Sequence, residues 1–106
     1  MVNISITKTI NLEGNQINET FCNTFTGEKT HNLRDLNLRS NELKIFPNTS
    51  ALTKLSFLSV RDNMITFIPA SHIPNSLVEL YIIGNQITCL PSAVYEVIPS
   101  PSYILI

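Results

Sequence analysis

The most constraining feature of the chain is a repeated register of apolar residues and asparagine. Asn41, Asn63 and Asn85 stand 22 residues apart, and aligning them brings seven columns into step. Leu33, Leu55 and Leu77 form the first column, and Leu36, Leu58 and Leu80 the second. Leu38, Val60 and Ile82 follow, then the asparagines, then Leu43, Ile65 and Ile87. Phe46, Ile68 and Leu90 complete the pattern, each succeeded by a proline: Pro47, Pro69 and Pro91. Within each copy, as in "LRDLNLRSNELKIFP" (Leu33 to Pro47), apolar and polar residues alternate as in a half-buried strand. The asparagine then falls where the next apolar residue is due.

A period of about 20–29 residues built on L-x-x-L-x-L-x-x-N-x-L is the signature of leucine-rich repeats, and the sequence resembles that family from roughly Thr7 to Pro91. A weaker copy leads, with Ile10, Leu12, Asn15 and Ile17 in place and Thr7 where a leucine belongs. Its asparagine precedes the next by 26 residues, which marks residues 1–32 as an N-terminal capping repeat with a turn at "TGEKT". Residues 33–91 hold three regular repeats. The short unit and its L-x-x-[FIL]-P ending leave little room for helix. "IPNSLVEL" (Ile73 to Leu80) also resembles the L-P-x-x-L-x-x-L opening in repeat domains of secreted effectors of animal-pathogenic bacteria, whereas "SALTKLSFL" departs from it. The resemblance implies an α/β-type solenoid dominated by β structure: a curved parallel sheet of about four strands, with irregular or 3₁₀ segments on its convex side.

The asparagines have a physical reason in such a fold. Each turn away from the sheet leaves backbone N–H and C=O groups inside, where an unpaired group costs ~1–3 kcal/mol. An amide side chain carries both donors and an acceptor. Asn15, Asn41, Asn63 and Asn85 are therefore expected to be structural.

After Pro91 the pattern falters. In residues 92–106, Tyr103 and Ile106 align with the first two leucine columns, as a C-terminal cap or a truncated fifth repeat. The last apolar residues also fit a loose motif for strand addition to a partner, although packing explains such residues more simply.

At 106 residues, with 43% hydrophobic and 14% charged side chains, the chain is one domain with a packed core. A net charge of −1 offers no electrostatic footprint for nucleic acid or an anionic membrane. "MVNISITKTI" lacks the apolar run of a classical signal peptide, and no stretch has the ~18 apolar residues of a membrane span. The expectation is a cytoplasmic or otherwise intracellular protein, with delivery into a host cell by another route left open.

Catalytic signatures are missing. No phosphate loop, G-x-S-x-G elbow, H-E-x-x-H or C-x-x-C occurs, and His31 and His72 lack acids or cysteines at ligand spacing. The chain is expected to be non-catalytic, with no cofactor and no metal. Cys22 and Cys89 fall three repeats apart, about 14 Å at one strand spacing per repeat, too far for a disulfide. The glycosylation sequons at Asn3, Asn18 and Asn48 matter only in a secretory setting.

Strand alternation assigns the intervening residues to the outer, concave face. There Lys8, Arg34, Arg39 and Arg61 balance Glu13, Asp35, Asp62 and Glu79, with Arg34–Asp35 and Arg61–Asp62 reading as solvated pairs. Phe57, Tyr81, Ile83 and Val78 point the same way beside Arg39 and Arg61, and aromatic residues with arginine dominate protein-binding hot spots. Three readings stay open for this patch: partner binding, cross-strand packing of Phe57 on Tyr81, and cover of Val78 and Ile83 by the tail. The expected function is a monomeric, non-catalytic module that binds a protein through the concave sheet. The alternatives are the substrate-recognition segment of a larger effector-type enzyme, such as a ubiquitin ligase, and a structural protein that self-associates edge to edge.

Overall fold

The computed structural model describes residues 8–18 and 32–88, together with the backbone of 104–105. Cys22, Cys89, Asn3, His31 and most of the C-terminal segment lie outside these residues. Five short strands form one sheet in chain order: β1 (Thr9–Asn11), β2 (Asp35–Asn37), β3 (Phe57–Ser59), β4 (Glu79–Tyr81) and β5 (Ile104–Leu105). Every neighbouring pair is parallel. The only helical element among the described residues is a single 3₁₀ turn, Ala70–His72, so strand and irregular structure dominate.

The register follows the leucine columns. Ile10, Leu36, Leu58, Leu80 and Ile104 are successive partners across the sheet. Alternation then buries Leu36, Leu58 and Leu80 completely while Asp35, Asn37, Phe57, Glu79 and Tyr81 stay partly accessible on the outer face. One sequence expectation needs correcting here. Ile104, not Ile106, takes the position opposite Leu80, so the tail adds the two-residue β5 to the four strands of the repeats in a register two residues from the one expected. A shift of two residues keeps strand alternation in phase, so the apolar pattern of the tail could not distinguish the two registers.

Three residues beyond the end of each of β1 to β4 the chain turns through a left-handed backbone position. Gly14, Ser40, Asp62 and Gly84 occupy one column, and all have positive φ (73°, 58°, 55° and 81°). Glycine adopts this region freely, and serine and aspartate are short polar residues that turns tolerate. The backbone ladder nevertheless runs on to the turn: Leu38 N–H donates to Ser59 O, Val60 to Tyr81 O, Ser40 to Arg61 O and Asp62 to Ile83 O, all at 2.8–2.9 Å. Beyond the turn a second ladder begins, with Met64 N–H donating to Leu43 O and Gln86 N–H to Ile65 O.

The core lies on the inner side of the sheet. Leu33, Leu55 and Leu77 pack with Leu38, Val60 and Ile82, and behind them stand Leu43, Ile65, Phe46, Ile68, Leu52 and Ile73, none more than 4% exposed. Burying each such side chain stabilises the fold by ~1.5–3 kcal/mol before conformational entropy is subtracted. The segments that close the back of the core are tied by polar contacts. Thr49 is buried and both its N–H (3.0 Å) and its hydroxyl (2.8 Å) donate to the His72 carbonyl. His72 Nδ1 in turn donates to the Phe46 carbonyl at 3.0 Å, and the Ser76 hydroxyl donates to Leu55 O at 2.6 Å.

Candidate functional site

The asparagine columns and the outer face were the two sets of residues singled out by the sequence, and they occupy different environments. Asn63 is 7% exposed and donates through Nδ2 to the carbonyls of Leu38, Val60 and Arg61 at 2.9–3.1 Å, while its Oδ1 accepts from Leu43 N–H at 3.0 Å. Asn41 repeats this with Leu12, Leu38 and Arg39, and accepts from both Asn15 and Ile17 N–H. Asn85 donates to Val60 and Ile82 and accepts from Ile65 N–H. These amides are occupied by backbone on both sides. Asn15 differs: it is exposed, and its Nδ2 donates to the nearby Glu13 carbonyl at 3.1 Å.

The outer face carries the chemistry accessible to another molecule. Phe57 on β3 and Tyr81 on β4 are diagonal neighbours, with ring centroids 5.1 Å apart and planes tilted by 46°. Such tilted contacts between rings are favourable at this separation. The Tyr81 hydroxyl donates to Glu79 Oε2 at 3.2 Å. Desolvation beside its neighbours, this hydrogen bond and the charge of Glu79 together raise the Tyr81 pKa above its ordinary value of 10.0, against an opposing pull from Arg61.

Arg39 points along the face and pairs with Asp62 (Nε to Oδ2, 3.1 Å) and more loosely with Glu13 (3.6 Å). The sequence neighbours Arg61 and Asp62 therefore do not form the pair expected of them. Asp62 sits at the left-handed turn that follows β3, where its carboxylate meets Arg39 of the preceding repeat. Asp35 similarly accepts a hydrogen bond from the Thr9 hydroxyl at 3.2 Å, across β1 and β2. Arg61 has a buried Nε with no hydrogen-bond partner among the described residues.

Four of the six expected binding residues come together. Phe57, Tyr81, Arg39 and Arg61, joined by Glu13, Asn37 and Ser59, line an open concavity of about 310 Å³. Val78 lies on another, of about 350 Å³, with Asp35, Ser56, Phe57 and Glu79. Ile83 lines neither, although it is exposed like Val78.

Sequence reasoning passed over a second accessible apolar group, Ile45 and Phe67, which are 52% and 55% exposed. The signal was available, because both stand four residues after an aligned asparagine and so share a column. Among the described residues no group of three or more His, Cys, Asp or Glu side chains could hold a metal ion. Nor is any helix there long and apolar enough to cross a membrane. Compared with protein-family models and with curated proteins, the sequence matches none.

Proposed function

We propose that the chain is a leucine-rich repeat solenoid acting as a non-catalytic protein-binding module, and that its partner docks on the outer face of the sheet. The repeat reading is supported by the 22-residue spacing, the in-register parallel strands and the asparagine side chains that bond successive turns. The binding reading rests on one observation. The Phe57–Tyr81 ring pair stands accessible on the outer face, beside two arginines around a shared concavity. Aromatic rings and guanidinium groups bury much area per residue while retaining a polar edge, which is why they carry most of the energy in protein interfaces.

The partner would cover the rings and draw on Arg39 and Arg61 to set its register across the strands. The concavity is too open to enclose a small molecule, and a broad, shallow surface suits another protein better. The test is an affinity capture from native or host lysate with wild type and Phe57→Ala/Tyr81→Ala, both verified as folded by circular dichroism. A partner retained by the wild type and lost by the folded double variant supports the reading. Equal capture by both proteins rejects this face as the docking surface.

A further inference from the structure

We infer that a second copy of the chain docks its β1 and Asn15 onto β4 and the turn that follows it, with β5 moving aside, so that molecules stack head to tail. The inference rests on the repeat reading and is independent of docking on the outer face. One contact between successive turns is made three times inside the chain and left half-made at both ends. Leu12, Leu38 and Val60 N–H donate forward to Asn37, Ser59 and Tyr81 O, and Gly14, Ser40 and Asp62 N–H to Arg39, Arg61 and Ile83 O, all at 2.8–3.0 Å. Ile17, Leu43 and Ile65 N–H then donate to Oδ1 of Asn41, Asn63 and Asn85, each at 3.0 Å.

At the β1 end the acceptors are left over. Asn15 Nδ2 donates to the Glu13 carbonyl, as Asn41 and Asn63 donate to Arg39 and Arg61. Its side chain thus already holds the orientation of the other asparagines, but its Oδ1 accepts nothing among the described residues. Thr9 and Asn11 are exposed on the open edge of the sheet, and Ile10, Leu12 and Ile17 are only partly buried. At the other end the donors are left over. Gly84 and Ile87 stand in the columns of Asp62 and Ile65, yet their N–H groups donate to nothing among the described residues. Alongside β4, the two residues of β5 pair only with Leu80 and Tyr81.

Repeating the internal contact between the two ends fixes the pairs. Gly84 N–H donates to Glu13 O of the second copy, Ile87 N–H donates to its Asn15 Oδ1, and that Asn15 donates through Nδ2 to the Ile82 carbonyl. Ile10, Leu12 and Ile17 gain the cover that the later repeats already have, which favours association. A three-residue strand and its turn replace the two residues of β5. Like ends do not match, because every strand is parallel and one end supplies acceptors while the other supplies donors. The contact is therefore heterologous and does not stop at a dimer.

The test is sedimentation of the intact protein over a range of concentrations. The mass of the wild type should rise with concentration and pass beyond a dimer. Asn15→Ala changes an exposed residue with one local bond, so it should fold normally and weaken association roughly tenfold or more, the scale of two hydrogen bonds. Leu105→Pro removes an N–H that strand alternation turns toward β4, loosens β5 and should strengthen association. Phe57→Ala/Tyr81→Ala should associate like the wild type. Amide exchange of the wild type should show Gly84 and Ile87 becoming protected as concentration rises, a measurement that needs no variant.

A wild type that stays monomeric, with Gly84 and Ile87 exchange independent of concentration, overturns the inference and leaves the outer face untouched. Association indifferent to Asn15→Ala, or ending at a dimer, overturns it as well. Association weakened or unchanged by Leu105→Pro makes β5 itself the pairing edge or a bystander, and either result rejects the exchange. Association lost in Phe57→Ala/Tyr81→Ala moves the contact to the outer face and rejects stacking through the ends.

Discussion

Asn63 reaches back 25 residues to donate to the carbonyl of Leu38 at 3.0 Å, the same oxygen that Asn41 bonds from within its own turn. The Val60 carbonyl is shared in the same way by Asn63 and Asn85. Each amide thus links one turn to the next through a buried oxygen. Removing Asn63 leaves the Leu43 N–H without its acceptor and thins the bonding of three carbonyls. Asn63→Ala is expected to cost about 2–4 kcal/mol in urea unfolding, and Asn63→Asp at least as much, since a carboxylate cannot donate to those carbonyls. Asn15→Ala, at an exposed position with one local bond, should stay within about 0.5 kcal/mol. Equal costs at the two sites would refute the distinction.

Gly84 and Gly14 share a left-handed conformation but differ in the room around them. A Cβ at Gly14 meets nothing within 4 Å, whereas one at Gly84 collides with the Asp62 carboxylate and lies 3.0 Å from the Asp62 backbone nitrogen. A flexible carboxylate can move; the backbone in the sheet ladder cannot. Gly14→Ala should therefore cost only the left-handed penalty of about 1 kcal/mol, and Gly84→Ala roughly 2–3 kcal/mol. Thermal unfolding of the two variants ranks them, and the reverse order would show that the close approach of Asp62 is not a real restraint.

Tyr81 should ionise at higher pH than an ordinary tyrosine. Its neutral form is favoured in the fold by desolvation and by the hydrogen bond to Glu79. Because the folded pKa lies above the unfolded value of 10.0, the folded state holds this proton more tightly. The resulting stabilisation is complete below the unfolded pKa and is lost as pH rises through the folded pKa. The ultraviolet titration of wild type minus that of Tyr81→Phe isolates this group, and Glu79→Gln should bring its pKa down. A Tyr81 titration unmoved by Glu79→Gln would dismiss the carboxylate as a cause.

The contact between Phe57 and Tyr81 is measurable apart from any partner. A double-mutant cycle with alanine at each position should return a coupling of about 0.5–1.5 kcal/mol, the range for tilted ring pairs. Coupling in unfolding experiments gives the packing share of this pair, and loss of capture in the folded double variant gives the binding share. A coupling indistinguishable from zero would mean that the rings touch without stabilising the sheet.

Much of the sheet was legible because its information is periodic. The 22-residue interval aligns Leu36, Leu58 and Leu80, and these residues are partners in adjacent strands. Alternation placed Phe57 and Tyr81 on the face opposite the leucines, and the spacing located Asn41, Asn63 and Asn85. The column of Gly14, Ser40, Asp62 and Gly84 contained a turn signal in its small and polar residue types, but only backbone angles showed that all four positions are left-handed. In the tail the same reasoning failed, since Ile104 and Ile106 are equivalent to a period of two.

By itself, then, the sequence determined which residues turn inward, which turn outward and how far apart matching positions lie, because burial and strand alternation act locally and leave a period in the chain. Tertiary structure decided which outward groups meet. Asp62 pairs with Arg39 from the adjacent strand and not with neighbouring Arg61, and Tyr81 contacts Phe57 along a diagonal. Arg61 Nε is left buried and unpaired among the described residues. Those outcomes depend on side-chain direction, strand separation and exclusion of water at one place in space, none of which has a period that a one-dimensional pattern can record.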